Sequence, residues 1–231
     1  MRLNKFIAQA SNLSRRKADE AIARGDVTIN GQPAEQGQNV SASDVVKLQG
    51  QVLSIPVSTM TIMLNKPVGY VVSRNGQGSP TIYDLLPPEY RHLNPVGRLD
   101  KNSSGLLLLT NDGNLANELT HPSHQKEKVY EVSLDKPLTQ EDKLKIEQGV
   151  QLEDGLSSLE VRDLSIETRG SNYSKLKPRD SNLYEIKMRE GRNRQIRRTF
   201  AALGYAVKIL HRTQFGKYTL TGLKKGDLLV I

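Results

Sequence analysis

One carboxylate stands where two apolar segments of the chain meet. Asp100 ends the short run 95–99, two residues after Arg98, and a second apolar run follows at 105–110. A charged group between two buried strands costs several kcal/mol unless it is paired, so this position suits a nucleophile or general base better than a core residue. Such a group must be ionised at neutral pH, which requires a nearby cation. A loop aspartate that only caps a turn is the alternative interpretation.

Tyr130 is the second candidate for chemistry. In the segment 127–132, strand alternation places Lys128, Tyr130 and Val132 on one face. A tyrosine flanked by charged residues can stack on a nucleobase or relay a proton. The alternative is a half-buried strand tyrosine without a chemical role.

The third candidate is the arginine-rich segment 189–200. If residues 192–203 form a helix, positions 196, 200 and 203 make its apolar stripe, and Arg194, Arg197 and Arg198 project away from it. Arginines on one face repel each other unless an anion binds there. A phosphate backbone and a buried carboxylate both fit the planar guanidinium fork. A merely solvated helix face is the alternative.

The positive charge of the chain is concentrated in two places. The 231 residues carry a net charge of +8, and the segment 187–217 alone has nine Lys or Arg against one acid. The first 31 residues add six basic groups against three acids. Two separated basic patches indicate a polyanion that contacts both ends of the chain, and nucleic acid fits this pattern.

Composition excludes several other classes of function. The absence of cysteine removes disulfides, thiolate nucleophiles and cysteine metal sites. Of the four histidines, His121 and His124 are three residues apart, but no further acidic or histidine partner stands at metal-ligand spacing, so no metal site is expected. No apolar run approaches the length of a membrane-spanning helix and no signal peptide is recognisable, which predicts a cytoplasmic protein without a membrane partner.

Local patterns predict an α+β protein with two domains. Helices at 3–10 and 15–24, the second capped by Ser14, and strands at 27–31 and 45–48 form a small α-α-β module over residues 1–50. Residues 51–59 read as a linker. Residues 60–231 form a larger domain, with helices near 113–120, 139–148 and 192–203 and strands that lack βαβ alternation, which favours a mainly antiparallel mixed sheet. Within it, the polar stretch 170–181 reads as an exposed loop.

Several ordered motifs resemble those of the pseudouridine synthases that modify bacterial ribosomal RNA. Gly97-Arg98-Leu99-Asp100 with the run 105–113 looks like their catalytic signature. Four further segments match in order: 64–70, 121–123, 128–130 and 190–198. The module at 1–31 is similar to the RNA-binding domain of a ribosomal small-subunit protein, which this branch carries at its front. Two departures are small: Ser103 stands where the family often has Thr, and Thr199 where it usually has Met.

The resemblance implies isomerisation of a uridine without cofactor or metal. Asp100 would be the nucleophile, Arg197 would pair with it, and Tyr130 would stack on the base and assist proton removal. Ile209 or Leu210 would lie under the flipped ring. The expected RNA-binding cations are those of the cleft, Arg98, Arg192, Arg194, Arg198 and Arg212, and those of the front module, Arg15, Arg16, Lys17 and Arg24.

Two alternatives remain open at the level of sequence. A non-catalytic RNA-binding or ribosome-assembly factor explains the charge but gives no reason for Asp100, Tyr130 and Arg197 together. An enzyme acting on transfer RNA or another RNA differs only in its substrate. The Arg-Asn-Arg-Gln form of residues 192–195 resembles synthases of large-subunit RNA more than those of the small subunit. No dimerisation seam is recognisable, so a monomer is expected.

Overall fold

The computed structural model describes residues 1–11, 13–55, 58–164 and 182–231. The chain forms two compact units. The smaller comprises Met1–Met60 with Asn111–Gly113, and the larger comprises Thr61–Thr110 with Asn114–Ile231.

The smaller unit is two helices over a small antiparallel sheet. Its elements are α1 (Leu3–Ala10), α2 (Arg15–Ala23), β1 (Val27–Ile29), β2 (Gln32–Pro33), β3 (Val46–Leu48) and β4 (Gln51–Val52), with the strands in the order β2-β1-β3-β4. Ser14 caps α2 as predicted, because its side chain accepts a hydrogen bond from the Lys17 backbone N–H. The β1–β2 turn is made by Asn30 and Gly31, both with positive φ, which is the geometry that suits a two-residue hairpin.

The larger unit contains the remaining helices and strands. In chain order they are β5 (Thr61–Lys66), β6 (Asn94–Val96), β7 (Ser104–Thr110), α3 (Gly113–Thr120), β8 (Lys128–Leu134), α4 (Gln140–Gln148), β9 (Val150–Leu152), β10 (Gly155–Ser157), β11 (Glu160–Asp163), β12 (Leu183–Met188), α5 (Gln195–Ala202), β13 (Val207–Phe215), β14 (Tyr218–Thr219) and β15 (Leu228–Val230). Three short 3₁₀ helices occupy Ile82–Leu85, Pro88–Tyr90 and Pro122–His124.

Within the described residues these strands form one large sheet and one separate hairpin. The sheet order is β11-β12-β8-β13-β7-β5-β15, with β14 beside β13 and β6 beside β7, and β9 pairs with β10. The β13–β7 pairing is parallel and the others are antiparallel. The predicted α+β class with a mainly antiparallel mixed sheet is therefore confirmed.

Some local predictions differ from the structure. Helix α5 begins at Gln195 rather than at 192, because Arg194 has a left-handed backbone conformation with φ of 48°. Gln51–Val52, predicted as the start of the linker, pairs as β4 with β3. The loop predicted at 170–181 lies outside the described residues.

Candidate active site

Asp100 lies in the loop 97–103, the aspartate loop, which connects β6 to the buried strand β7. β6 and β7 pair antiparallel with Val96 opposite Leu108, and both of these side chains are fully buried. The Asp100 carbonyl accepts a hydrogen bond from the Ser103 N–H at 3.0 Å, while its side chain is 32% exposed. A carboxylate held on rigid strands and still open to solvent is positioned to meet a ligand.

A buried lysine, Lys66, donates hydrogen bonds to the backbone of the aspartate loop. Lys66, the last residue of β5, is completely buried, and its Nζ donates hydrogen bonds to the carbonyl oxygens of Ser103 at 2.8 Å, Pro67 at 3.0 Å and Asp100 at 3.2 Å. Burial lowers the pKa of Lys66 to about 8, and the negative charge of Asp100 acts in the opposite direction. Sequence reasoning assigned no role to Lys66. The signal was a lysine at the end of an otherwise uncharged strand, where a buried ammonium needs several acceptors.

The ion pair of Asp100 is formed by Arg194. The motif match predicts Arg197 as its partner, but the Arg194 Nη1 atom lies 3.9 Å from Asp100 Oδ2. Arg197 instead donates to the carbonyls of Asn102 at 2.9 Å and Val207 at 2.8 Å. Burial and the charge of Arg194 lower the pKa of Arg197, and the charge of Asp100 raises it. Arg197 thus hydrogen-bonds the backbone of the aspartate loop, and the charge of Arg197 still interacts with that of Asp100.

Gln195 shapes the turn that presents these arginines. Its side chain is 2% exposed. Its Nε2 donates to Glu190 Oε1 at 2.9 Å and Ser157 Oγ at 3.0 Å, and its Oε1 accepts from the Arg192 backbone N–H at 3.1 Å. A buried amide with several partners fixes one loop conformation. This conformation includes the left-handed Arg194, which is uncommon for a residue other than glycine.

Two arginines predicted to bind RNA are held by Asp154 in the β9–β10 turn. Arg198 contacts its carboxylate through Nη1 at 3.0 Å and Nη2 at 2.7 Å, and Arg192 contacts Oδ1 at 3.0 Å. Arg192 also donates to the carbonyls of Asp154, Gly155 and Leu156. Their guanidinium groups are thus engaged within the chain, where they join the β9–β10 hairpin to α5. A direct role for them in RNA binding stays a prediction.

Tyr130 and part of β13 form a wall of the same site. Tyr130, 7% exposed, pairs in register with Arg212 on β13. Leu210 and Arg212 line the site together with Tyr130, whereas Ile209 is not among its described lining residues. Of the two base-packing candidates, Leu210 is therefore the one at the site. Gly105 permits this arrangement, because its φ is +106° and a Cβ there would overlap the Arg212 backbone.

Asp100, Tyr130, Arg194 and Arg212 line a cleft of about 1080 Å³, whereas Arg197 and Arg198 are not among its described lining residues. Its walls include the aspartate loop, strands β8 and β13, and residues 71–73, 119–122 and 188–196. Among the described lining residues there are eight lysines and arginines but two carboxylates, Asp100 and Glu190. Glu190 is engaged by Gln195 and by Arg192, whose Nε lies 3.2 Å away. The charged lining of the cleft is therefore mainly cationic, and Asp100 is a partly exposed carboxylate within it.

Comparison with known proteins identifies the family. Residues 60–202 match the family model described as RNA pseudouridylate synthase, and residues 1–46 match the S4 domain. This chain belongs to the RNA pseudouridine synthase family. It is 35% identical over 229 residues to the ribosomal large subunit pseudouridine synthase B of Bacillus subtilis (strain 168), covering 98% of this chain and 90% of that protein.

Two further relatives of this pseudouridine synthase agree. It is 36% identical over 229 residues to the dual-specificity RNA pseudouridine synthase RluF of Escherichia coli (strain K12), covering 98% of this chain and 74% of that protein. A crystal structure of a pseudouridylate synthase matches with a TM-score of 0.69 at 31% identity, covering 100% of this chain and 96% of that chain.

The two departures of this synthase from the family pattern are both buried. Thr199 is fully buried, donates to the Gln195 carbonyl at 2.9 Å, and shares a hydrogen bond of 2.8 Å with Ser157 Oγ. Its hydroxyl thus has partners that a methionine could not use. Ser103 is 1% exposed; its carbonyl accepts a hydrogen bond from Lys66 Nζ, and its N–H donates to the Asp100 carbonyl.

In the S4 domain of the synthase, the predicted RNA-binding cations lie on the surface. Arg15, Arg16 and Lys17 form the exposed start of α2. Lys17 pairs with Glu20 at 2.8 Å, and Arg24 pairs with Asp26 at 2.8 Å. Exposed pairs of this kind contribute little to stability, so these cations can exchange their partners for phosphates.

The described residues contain no cluster of His, Cys, Asp or Glu that could hold a metal ion. No helix among them is long and apolar enough to cross a membrane.

Proposed function

We propose that this synthase converts a specific uridine of ribosomal RNA into pseudouridine, with large-subunit RNA favoured and Asp100 as the nucleophile. The observation that carries the proposal is the position of Asp100, a partly exposed carboxylate in a cleft whose described lining includes eight lysines and arginines and one other carboxylate, Glu190. The names of the relatives and the Arg-Asn-Arg-Gln form of residues 192–195 favour large-subunit RNA.

The reaction is an isomerisation and needs no change of oxidation state. The bond between the sugar and N1 of uracil breaks, the ring turns, and C5 bonds to C1′ while its proton leaves and N1 gains one. A carboxylate can divide this exchange into two easier steps through a covalent intermediate. Arg194 lies beside the Asp100 carboxylate, and Lys66 and Arg197 hold the backbone of the loop that carries it.

Tyr130 and Leu210 are proposed to receive the base. A uridine in structured RNA must leave its stack to reach Asp100, which costs a few kcal/mol. The ring of Tyr130 offers a stacking face, its hydroxyl can assist removal of the C5 proton, and Leu210 supplies apolar contact on the same wall of the cleft. These contacts with Tyr130 and Leu210 thereby partly compensate for the base stacking that the RNA loses.

Phosphate contacts are proposed to supply the remaining binding free energy. Arg98 is exposed on the cleft, Arg194 is about half exposed beside Asp100, and the cations at 15–17 and at Arg24 lie on the S4 domain. Such contacts position the RNA without reading its sequence, and they release counterions. Binding should therefore weaken steeply with salt.

Mapping of pseudouridine in ribosomal RNA tests the proposal. RNA from cells with the gene, without it, and with an Asp100→Asn copy is labelled chemically and analysed by mass spectrometry. We expect one or more sites to disappear without the gene and to return with the wild type alone. If no site is lost while ribosome assembly is disturbed, the chain acts as an RNA-binding assembly factor instead.

A binding measurement separates chemistry from recognition. Asp100→Asn changes one oxygen to an amide and keeps the volume of the side chain. We expect it to abolish product while the Kd for RNA stays within about threefold, less than a 1 kcal/mol change. A strong loss of RNA affinity would count against Asp100 as the nucleophile.

A further inference from the structure

Two cations of the cleft flank one aromatic ring. The Arg212 guanidinium lies 4.8 Å from the centre of the Phe215 ring, and Lys128 Nζ lies 5.3 Å from it. Arg212 is 2% exposed, and Lys128 shares a strand face with Tyr130 two residues away. All four side chains line the cleft that contains Asp100.

These charges lack an anionic partner in the described part of the chain. Arg212 donates through Nε to the Leu106 carbonyl at 2.8 Å, while its buried Nη2 has no hydrogen-bond partner there. Lys128 donates to the carbonyls of Glu190 at 3.2 Å and Lys126 at 3.4 Å. Within the described residues neither cation has a carboxylate oxygen within 4.0 Å. The pKa of Lys128 is lowered by burial and by the charge of Arg212, and raised in part by Glu190.

A purely structural role does not account for this cluster. The bond from Arg212 to Leu106 joins β13 to β7, but a neutral donor could form it. Burying an unpaired cation costs several kcal/mol, and a second cation nearby adds repulsion. Positive charge that is buried and left unpaired in a substrate cleft indicates a negative charge that appears only when substrate is bound or reacting.

The reaction itself creates such a charge on the uracil. If the Asp100 carboxylate attacks C1′, the C1′–N1 bond breaks and its electron pair leaves with the ring, spread over N1 and both carbonyl oxygens. If it attacks C6, a C6–O bond forms and the C5=C6 π pair moves to O4. In the first route the new bond from C5 to C1′ displaces Asp100 from C1′. In the second route C1′ passes from N1 to C5, and loss of the C5 proton expels Asp100 from C6. In both routes the C5 proton leaves and N1 gains one.

We propose that Arg212, with Lys128 beside it across Phe215, is the catalytic cation that binds the uracil carbonyl oxygens and stabilises the negative charge on the ring. The inference rests on the proposed function and adds to it a residue for the transition state. The burial of Arg212 favours the uracil base over a phosphate as the ligand of this residue. Arg212 is almost fully buried beside Tyr130 and Leu210, whereas a phosphodiester carries its solvated charge and fits the exposed Arg98 better.

Single-turnover kinetics on a ribosomal RNA fragment that the wild type modifies test this assignment. We expect Arg212→Met to lower the rate at saturating RNA by about 100-fold, the size of effect seen when a preorganised donor to a developing anion is removed. The Kd for RNA should stay within about threefold. Arg212→Lys keeps the charge and should retain at least a tenth of the wild-type rate. Lys136→Met is the matched control, because Lys136 lies 4.6 Å from the Tyr205 ring outside the described cleft lining.

Each other outcome overturns the assignment. A normal rate at saturating RNA with a tenfold weaker Kd would make Arg212 a phosphate contact. A lysine variant as slow as the methionine variant would show that shape rather than charge matters. If thermal melting shows Arg212→Met to be unfolded, Lys128→Met decides: a rate about tenfold below wild type is expected, and an unchanged rate refutes the anion subsite. A wild type that modifies no RNA refutes the proposed function, and the inference falls with it.

Discussion

Replacing Lys66 by methionine tests how the aspartate loop is held. The substitution keeps most of the side-chain stem and removes an ammonium whose pKa falls from the usual 10.5 to about 8 in the folded chain. A pKa difference of one corresponds to about 1.4 kcal/mol. Keeping Lys66 protonated at pH 7 therefore costs the folded state roughly 3 kcal/mol relative to the unfolded chain.

The substitution removes this cost, but it also removes the hydrogen bonds that Lys66 donates. In the methionine variant the carbonyls of Pro67 and Ser103 lose this donor, while the Asp100 carbonyl keeps the Ser103 N–H. A buried polar group left without a partner costs about 1–3 kcal/mol. Since the two effects have opposite signs, we expect the variant to fold, with a free energy of unfolding at pH 7 within about 3 kcal/mol of the wild type.

The dependence on pH gives the sharper test. The folded pKa of Lys66 lies below the unfolded one, so between about pH 8 and 10.5 the unfolded chain binds more protons. The wild type should therefore gain up to about 1.4 kcal/mol per pH unit over Lys66→Met in this window. Below pH 8 the difference between the two should be constant.

Urea denaturation at pH 7, 8, 9 and 9.5 measures this difference. Lys101→Met is the matched control, because Lys101 is an exposed lysine of the same loop that contacts Ser79 Oγ at 3.0 Å. The control should follow the wild type at every pH. Parallel profiles for Lys66→Met and wild type would refute the buried, proton-releasing Lys66. We also expect the variant to lose about 30-fold or more in single-turnover rate, because small displacements of a reacting group cost up to about 100-fold.

Three further predictions concern RNA binding and loop support. Removing the charges at 15–17 should weaken RNA binding, flatten its salt dependence and leave the rate at saturating RNA unchanged; an unchanged Kd would exclude the anchoring role. Gly105→Ala should lower the melting temperature far more than Gly69→Ala, because both glycines have positive φ but a Cβ at 69 meets open space; equal shifts would contradict the close contact with Arg212. Asp154→Ala should slow single turnover without lowering RNA affinity, since it frees Arg198 and leaves Arg192 with its carbonyl and Glu190 contacts; a fall in affinity would contradict the proposed role of Asp154 in holding these arginines.

The periodic parts of the fold could be predicted from sequence. Helices α1 to α4 lie within about a residue of their predicted bounds, because their apolar spacing, the Ser14 cap and the positive-φ Gly25 are local signals. The sequence pattern predicts the start of α5 at residue 192, three residues before its start in the structure. Its boundary depends on the left-handed Arg194, which is imposed by tertiary contacts of the Gln195 side chain rather than by any local preference.

The members of the site could be predicted better than their partners. Motifs give Asp100, Tyr130 and the arginines as candidates, and the structure brings Asp100, Tyr130 and Arg194 to one cleft. They did not show that Arg194 contacts Asp100 while Arg197 grips the loop backbone, because both side chains are long and only packing decides their direction. The role of Lys66 was missed for a related reason: its three acceptors are backbone carbonyls, which leave no trace in a sequence.

A motif of several charged residues therefore contains two kinds of residue that sequence alone does not separate. In the segment 190–198, Arg192 and Arg198 are tied to Asp154, and their charges are largely compensated within the chain. Arg194 faces the carboxylate of Asp100, and its positive charge is half exposed to a ligand. If Arg192 and Arg198 also bound phosphate, removing Asp154 would strengthen RNA binding. If their contacts with Asp154 only position the rest of the segment, removing Asp154 would slow the chemical step and leave RNA binding unchanged. The intramolecular partners of each arginine, rather than its place in the motif, thus indicate which step of the reaction it serves.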